Sequence, residues 1–139
     1  MLCACQVIPT TSSDCDKQYG DNFLEFVRDD CGWRVNKKGG PDFDLWEIDD
    51  LNGKRVADIY LGGAPDIAYK KGNVAPQLGK VGKYELAEVA DENGYEALLT
   101  LPKDRYGRLM YVHIFSPALN LDDLNKVRNL VRSIRTKKE

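Results

Sequence analysis

Apolar residues in the middle of the chain fall in short segments rich in β-branched and aromatic types, which is typical of β-strands. Residues 43–48 form one such segment, residues 55–61 form the next, and Asn52-Gly53 lies between them. An Asn-Gly pair supplies the positive φ angles of a tight reversal. The pattern therefore predicts a β-hairpin over these two segments.

A second hairpin is predicted over residues 83–101. Its two arms, residues 83–89 and 95–101, flank a turn-forming run at residues 90–94. Period-two alternation places four apolar residues on one face of the second arm. These are Tyr95, Ala97, Leu99 and Leu101.

The segment 109–115 is apolar on both faces, with Met110, Val112 and Ile114 on one side. A strand of that kind is typical of the centre of a sheet that is covered on both sides. A helix is expected after Pro117, because apolar residues then recur at helical spacing. They are Leu121, Leu124, Val127, Leu130, Val131 and Ile134, with Asn120 as the N-cap.

These elements predict an α+β fold, in which an antiparallel sheet of about five or six strands is covered by a C-terminal amphipathic helix. The sequence does not decide between helix and strand for residues 21–35, which we call the open segment, since they fit a helical face and a strand equally well. A length of 139 residues suits one domain. We expect a start and flexible tether at residues 1–20 and a single domain at residues 21–139.

The first residues carry a motif of another kind. Leu2-Cys3-Ala4-Cys5 precedes a run rich in Pro, Thr and Ser, and it resembles the cleavage box of a bacterial lipoprotein. The resemblance implies that Cys5 carries the lipid, so that the protein is anchored to a membrane in the bacterial periplasm. The basic and apolar regions of a complete signal do not precede Leu2 here, and a polar N-terminus containing two incidental cysteines is the alternative.

Outside the cytoplasm, Cys15 and Cys31 would tend to form a disulfide. In one continuous helix their Cα atoms would stand about 24 Å apart, whereas a disulfide needs roughly 7 Å or less. The bridge therefore requires a chain reversal, for which Gly20-Asp21 is the obvious place.

Residues 62–82 show no sustained period, and a connection of this length is often functional. They form the candidate binding loop, whose named residues are Gly62, Gly63, Asp66, Tyr69, Lys70 and Lys71.

The sequence contains no recognisable catalytic motif, metal-ligand spacing or phosphate cradle, so we predict no catalytic residue, metal or cofactor. His113 is the one histidine and lies in the apolar segment 109–115, where a buried structural role is favoured over catalysis. The acids of residues 42–50 lack the spacing of a calcium loop and fit a solvated face. A net charge of −2 gives no general attraction to nucleic acid.

A second resemblance concerns the fold. Trp33, the run Gly40-Pro41-Asp42-Phe43-Asp44 and the run from Ile59 to Pro65 look like small bacterial envelope lipoproteins of unassigned function. The closing strand and helix are also similar to PsbP/Mog1-like domains. The resemblance implies an α/β sandwich and transfers no catalytic residue.

Together these features predict a membrane-tethered periplasmic domain that works by binding a protein or a cell-envelope component, for example as a toxin-immunity protein. Two alternatives remain: a small envelope hydrolase that uses loop carboxylates near Asp66, and a cytosolic interaction domain. Acids of residues 42–50 that converge with Asp66 and His113 in one cleft would favour the hydrolase.

Overall fold

The computed structural model describes residues 18–20, 24–27, 32–103, 106–117 and 120–136. Its first strands are β1 (Gln18–Gly20), β2 (Leu24–Val27), β3 (Arg34–Gly39), β4 (Phe43–Asp49) and β5 (Arg55–Gly62). A short helix, α1 (Ala68–Lys71), is followed by β6 (Gln77–Val81), β7 (Tyr84–Asp91), β8 (Gly94–Leu101) and β9 (Met110–Pro117). Helix α2 (Leu121–Arg132) and strand β10 (Arg135–Thr136) complete the described part.

The strands form two antiparallel sheets. The larger has seven strands in the order β3-β4-β5-β9-β8-β7-β6, and the smaller has three in the order β1-β2-β10. The predicted fold class, an α+β fold of five or six strands covered by a helix, is therefore wrong, because the molecule is mainly β. Residues 77–81, which show no sustained period, and residues 24–27, which fit a helical face and a strand equally well, also form strands.

Both predicted hairpins are confirmed. Strands β4 and β5 pair antiparallel with Trp46 opposite Ile59, and β7 and β8 pair with Leu86 opposite Leu99. Strand β9 lies between β5 and β8, which confirms its predicted central place. The two hairpins are therefore joined into one sheet by a strand that follows both in the sequence.

The strand registers assign each side chain to one of two faces. The inner face carries Trp46, Ile59, Ile114 and Ala97, which are neighbours across β4, β5, β9 and β8. All four are at most 1% exposed. The ring of Phe26 in β2 meets the ring of Trp46 edge to face, with centroids 5.6 Å apart. The small sheet thus lies against the inner face.

Helix α2 covers another part of the inner face. Asn120 caps it as predicted, since its side chain accepts a hydrogen bond from the Asp123 amide at 2.8 Å. Val127, Leu130 and Val131 belong to the main buried cluster. Leu121 belongs to the same predicted apolar stripe, but it is the first residue of the helix and is 70% exposed.

Within the open segment, Leu24–Val27 is a strand, and Leu24 and Phe26 are fully buried. Strand β1 pairs with β2 and falls within the residues expected to form the tether. Cys5, Cys15 and Cys31 lie outside the described residues. No helix among the described residues has the length and apolar character needed to span a membrane.

A polar cluster ties α2 to the sheet. Glu88 of β7 accepts hydrogen bonds from Arg132 Nη1 at 3.1 Å and Nη2 at 3.0 Å, and from the Tyr95 hydroxyl at 2.5 Å. Burial acts to raise the pKa of Glu88, but the hydrogen bonds from Arg132 and Tyr95 outweigh it and leave the pKa lowered. The folded state therefore favours the ionised carboxylate.

The substitution Glu88→Gln tests this cluster through the pH dependence of the free energy of unfolding. A carboxyl pKa lowered by folding stabilises the protein above the ordinary carboxyl pKa, and that stabilisation is lost as the pH falls through the folded pKa. We expect wild type to exceed Glu88→Gln in free energy of unfolding near neutral pH. The difference should shrink between about pH 5 and pH 3 in urea denaturation. The exposed Glu85→Gln on the same strand should follow wild type, and a pH-independent gap for Glu88→Gln would contradict the assignment.

Candidate functional site

The outer face of the large sheet carries a buried hydrogen-bonded pair, a histidine and a glutamate, at its centre. His113 in β9 and Glu96 in β8 lie on adjacent strands, and His113 Nε2 is 2.6 Å from Glu96 Oε2. The exposed fractions are 9% for His113 and 5% for Glu96. A carboxylate so far from solvent is costly unless its oxygens are hydrogen-bonded.

Glu96 meets that requirement through the backbone of α1. Its Oε2 accepts from the Ala68 amide and its Oε1 from the Tyr69 amide, both at 2.8 Å. The N-cap of α1 is Ile67, whose side chain offers no acceptor. Glu96, which lies 28 positions away from Ala68 in the sequence, therefore does the work of a capping side chain.

This arrangement fixes residues 62–74, which we call the α1 segment, to the outer face. The side chain of Tyr69 in α1 is buried, and the residue is only 7% exposed. Burial, and then the charge of Glu96, raise the pKa of the Tyr69 phenol, so the ring stays neutral. The segment is thus held by an ionic cap and by an aromatic anchor.

A second anchor holds the beginning of the α1 segment. The Tyr60 hydroxyl accepts a hydrogen bond from the Ala64 amide at 3.0 Å. A Cβ on Gly62 would lie 2.3 Å from that hydroxyl, so the close approach of the Tyr60 ring requires glycine there. Phe43 stacks on Tyr60 with ring centroids 5.9 Å apart.

Charged side chains of the α1 segment point to solvent. Asp66 and Lys71 form an ion pair, and their side chains are 82% and 69% exposed. The hydrogen bond and charge of Lys71 hold the pKa of Asp66 below its usual range. Lys70 is also exposed. A small cavity of about 170 Å³ lies beside α1, bordered by Tyr69, Val74, Val89 and Phe115 among others.

The loop residues predicted from the sequence therefore lie in one segment, where some hold the segment to the sheet and others are exposed to solvent. Gly62 and Tyr69 hold the segment against the sheet, whereas Asp66, Lys70 and Lys71 are displayed. The predicted loop, residues 62–82, contains more regular structure than its sequence indicated, because both α1 and β6 lie within it. Whether it binds a ligand stays a prediction.

The acids of residues 42–50 do not converge with His113. Asp44 pairs with Lys37 at 3.7 Å, and Glu47 pairs with Lys38 at 2.9 Å. Asp49 pairs with Arg55 at 2.7 Å. Within the described part of the chain, no group of three or more His, Cys, Asp or Glu side chains is arranged to hold a metal ion.

Sequence reasoning missed Glu96. The sequence feature that could have indicated a role for Glu96 is its place as the single acid in the otherwise uncharged segment 95–101. This segment pairs with strand β9, which carries the one histidine. An acid on an apolar strand needs a buried partner. Local alternation could not identify the partner, because the contacts come from residues 17 to 28 positions away.

Comparison with protein-family models and with curated proteins gives no match. Among solved structures, the chain is similar to a protein of Bacteroides thetaiotaomicron VPI-5482, known from a crystal structure at 1.50 Å resolution, with a TM-score of 0.50 and 12% sequence identity. The match covers 90% of this chain and 50% of that one. The chain therefore spans about half the length of this structural neighbour, and at so low an identity the likeness shows the fold alone.

Glu96→Gln tests the capping role. An amide side chain offers one acceptor oxygen where the carboxylate offers two, so at least one amide of Ala68 and Tyr69 loses its partner. We expect a loss of about 1–3 kcal/mol in free energy of unfolding. Hydrogen exchange at these two amides should accelerate more than exchange within β8. The exposed Glu92→Gln is the control, and unchanged protection of both amides in Glu96→Gln would contradict the assignment.

Proposed function

We propose that the protein is a membrane-tethered periplasmic binding domain, whose partner is a protein or a cell-envelope component. The α1 segment is its contact surface in this proposal. The proposal is supported chiefly by one observation, the fixation of this segment by Glu96 through two backbone amides.

A fixed segment is suited to binding. A loop that is already held in one conformation loses less conformational entropy when a partner docks. Binding residues commonly lie on loops positioned by a rigid scaffold. Here the seven-stranded sheet is the scaffold, and Lys70, Lys71 and Asp66 are the displayed groups.

The same geometry favours binding over the hydrolase alternative. A hydrolase built on loop carboxylates requires acids that converge on an open cleft with a base. His113 is instead buried against Glu96, and Asp66 is bonded to Lys71 at the surface. Of the acids of residues 42–50, Asp44, Glu47 and Asp49 pair with cations of β3 and β5.

Site-specific photo-crosslinking in the native host tests the contact surface. A photoreactive phenylalanine derivative replaces Lys70 in the full-length gene product, and the matched control places it at the exposed Asn52 in the β4–β5 turn. We expect one defined adduct at position 70, absent at position 52, because only the α1 segment touches the partner. Adding Glu96→Gln should reduce its yield several-fold. Equal labelling at both positions, or an adduct that Glu96→Gln leaves unchanged, would refute this surface.

The proposed anchor is tested separately by mass spectrometry of the full-length gene product expressed in its host. We expect a mature species that begins at Cys5 and carries a diacylglyceryl group on its sulfur. The control is Cys5→Ser, which should remove the lipid and release the protein from the membrane fraction. A mature wild-type protein without lipid on Cys5 rules out the tether and leaves the crosslinking result unaffected.

A further inference from the structure

The two edges of the large sheet differ in how they are protected. Strand β3 forms one edge and carries Arg34, Lys37 and Lys38. Charged residues, lysine above all, are a common protection of edge strands against pairing with other chains. The other edge, β6, has the sequence Gln-Leu-Gly-Lys-Val, with one charged residue. Its Leu78 is 82% exposed.

The pairing of β6 with β7 determines which backbone groups face outward. Val81 lies opposite Tyr84 across the two-residue turn Gly82-Lys83, so these two form a hydrogen-bonded pair. Hydrogen-bonded and non-hydrogen-bonded pairs alternate along an antiparallel ladder. Leu78 and Lys80 therefore direct their N–H and C=O groups away from β7. Among the described residues, β6 has a hydrogen-bonded neighbour on one side only.

We propose that two copies of this chain associate through β6, forming a continuous antiparallel sheet about a twofold axis at Gly79. In this register Leu78 of each copy lies opposite Lys80 of the other. Both residues direct their backbone N–H and C=O groups away from β7. Each Leu78–Lys80 pair therefore exchanges two hydrogen bonds, and the two pairs together make four. The arrangement is isologous, as in most closed homodimers.

The side chains fit the same register. Leu78 and Lys80 lie on one face of β6, so the aliphatic stem of Lys80 from one copy covers the exposed Leu78 of the other. The register centred on Gly79 also keeps the Lys80 side chains of the two copies from lying directly opposite each other. A register centred on Lys80 would place two lysines directly opposite each other, which is unfavourable.

We assign a second copy of this chain as the partner of β6, because β6 itself carries both Leu78 and the Lys80 side chain that would cover it. The apolar residue and the residue that covers it are two positions apart, as twofold pairing about Gly79 requires. Self-pairing at β3 would instead gather the lysines of both copies. The dimer does not depend on the proposed binding role of the α1 segment.

Sedimentation velocity of the purified 139-residue chain at low salt tests the proposal. We expect wild type to pass with rising concentration from 15.7 kDa to twice that mass. Leu78→Pro removes an outward N–H and leaves the β7 ladder intact, so it should stay monomeric with an unchanged far-ultraviolet circular dichroism spectrum. A wild-type chain that stays monomeric throughout overturns the proposal.

A matched pair of variants tests the register and is independent of proline effects. Leu78→Glu would lie opposite Lys80 of the other copy, whereas Leu78→Lys would place two lysines in opposition. We expect the dimer of Leu78→Lys to dissociate about tenfold more readily than that of Leu78→Glu, the size expected for two cross-strand charge pairs. Equal weakening of both variants overturns the Gly79-centred register, since it is the result of a register that pairs position 78 with itself.

Discussion

The carboxylate of Glu96 is the interaction on which the outer face of this molecule depends. It joins three parts of the chain that are distant in sequence: β8, the histidine of β9 and the first turn of α1. Burying the charge is tolerable because both oxygens accept hydrogen bonds. Without it, Ile67 would leave α1 uncapped, and the segment would lose the polar contact that adds to those of Tyr60 and Tyr69.

The large sheet is covered on both sides by different means. Its inner face packs against β2 and α2 through apolar contact, as the edge-to-face meeting of Phe26 and Trp46 illustrates. Its outer face is covered at the centre by the α1 segment, which is attached through polar groups. Apolar packing is nondirectional, whereas a hydrogen-bonded carboxylate fixes position. The segment that carries the exposed charges is thus held in a defined place.

Sequence patterns predicted the hairpins, the central place of β9 and the Asn120 cap, because each follows from residues near one another in the chain. They did not predict the second sheet or the edge strand β6. The sequence of Leu24–Val27 fits a helical face and a strand equally well, and its extended form depends on pairing with β1 and with β10, which is made of two residues. The displayed residues of the α1 segment could be named in advance, whereas Glu96 could not, since its partners depend on the tertiary fold. Leu121 shows the opposite error, since it is an apolar residue in register with the helix stripe and is nevertheless exposed.

The pairing of β2 with β10 joins the two ends of the described chain. Glu25 and Arg135 lie opposite each other and also form an ion pair, although they are 110 positions apart. A polypeptide emerging from the ribosome therefore exposes β2 without its β10 neighbour until the residues up to Thr136 have also emerged. Completion of the small sheet consequently waits for a segment 110 positions away, and truncation before Arg135 would leave β2 without one of its two neighbouring strands.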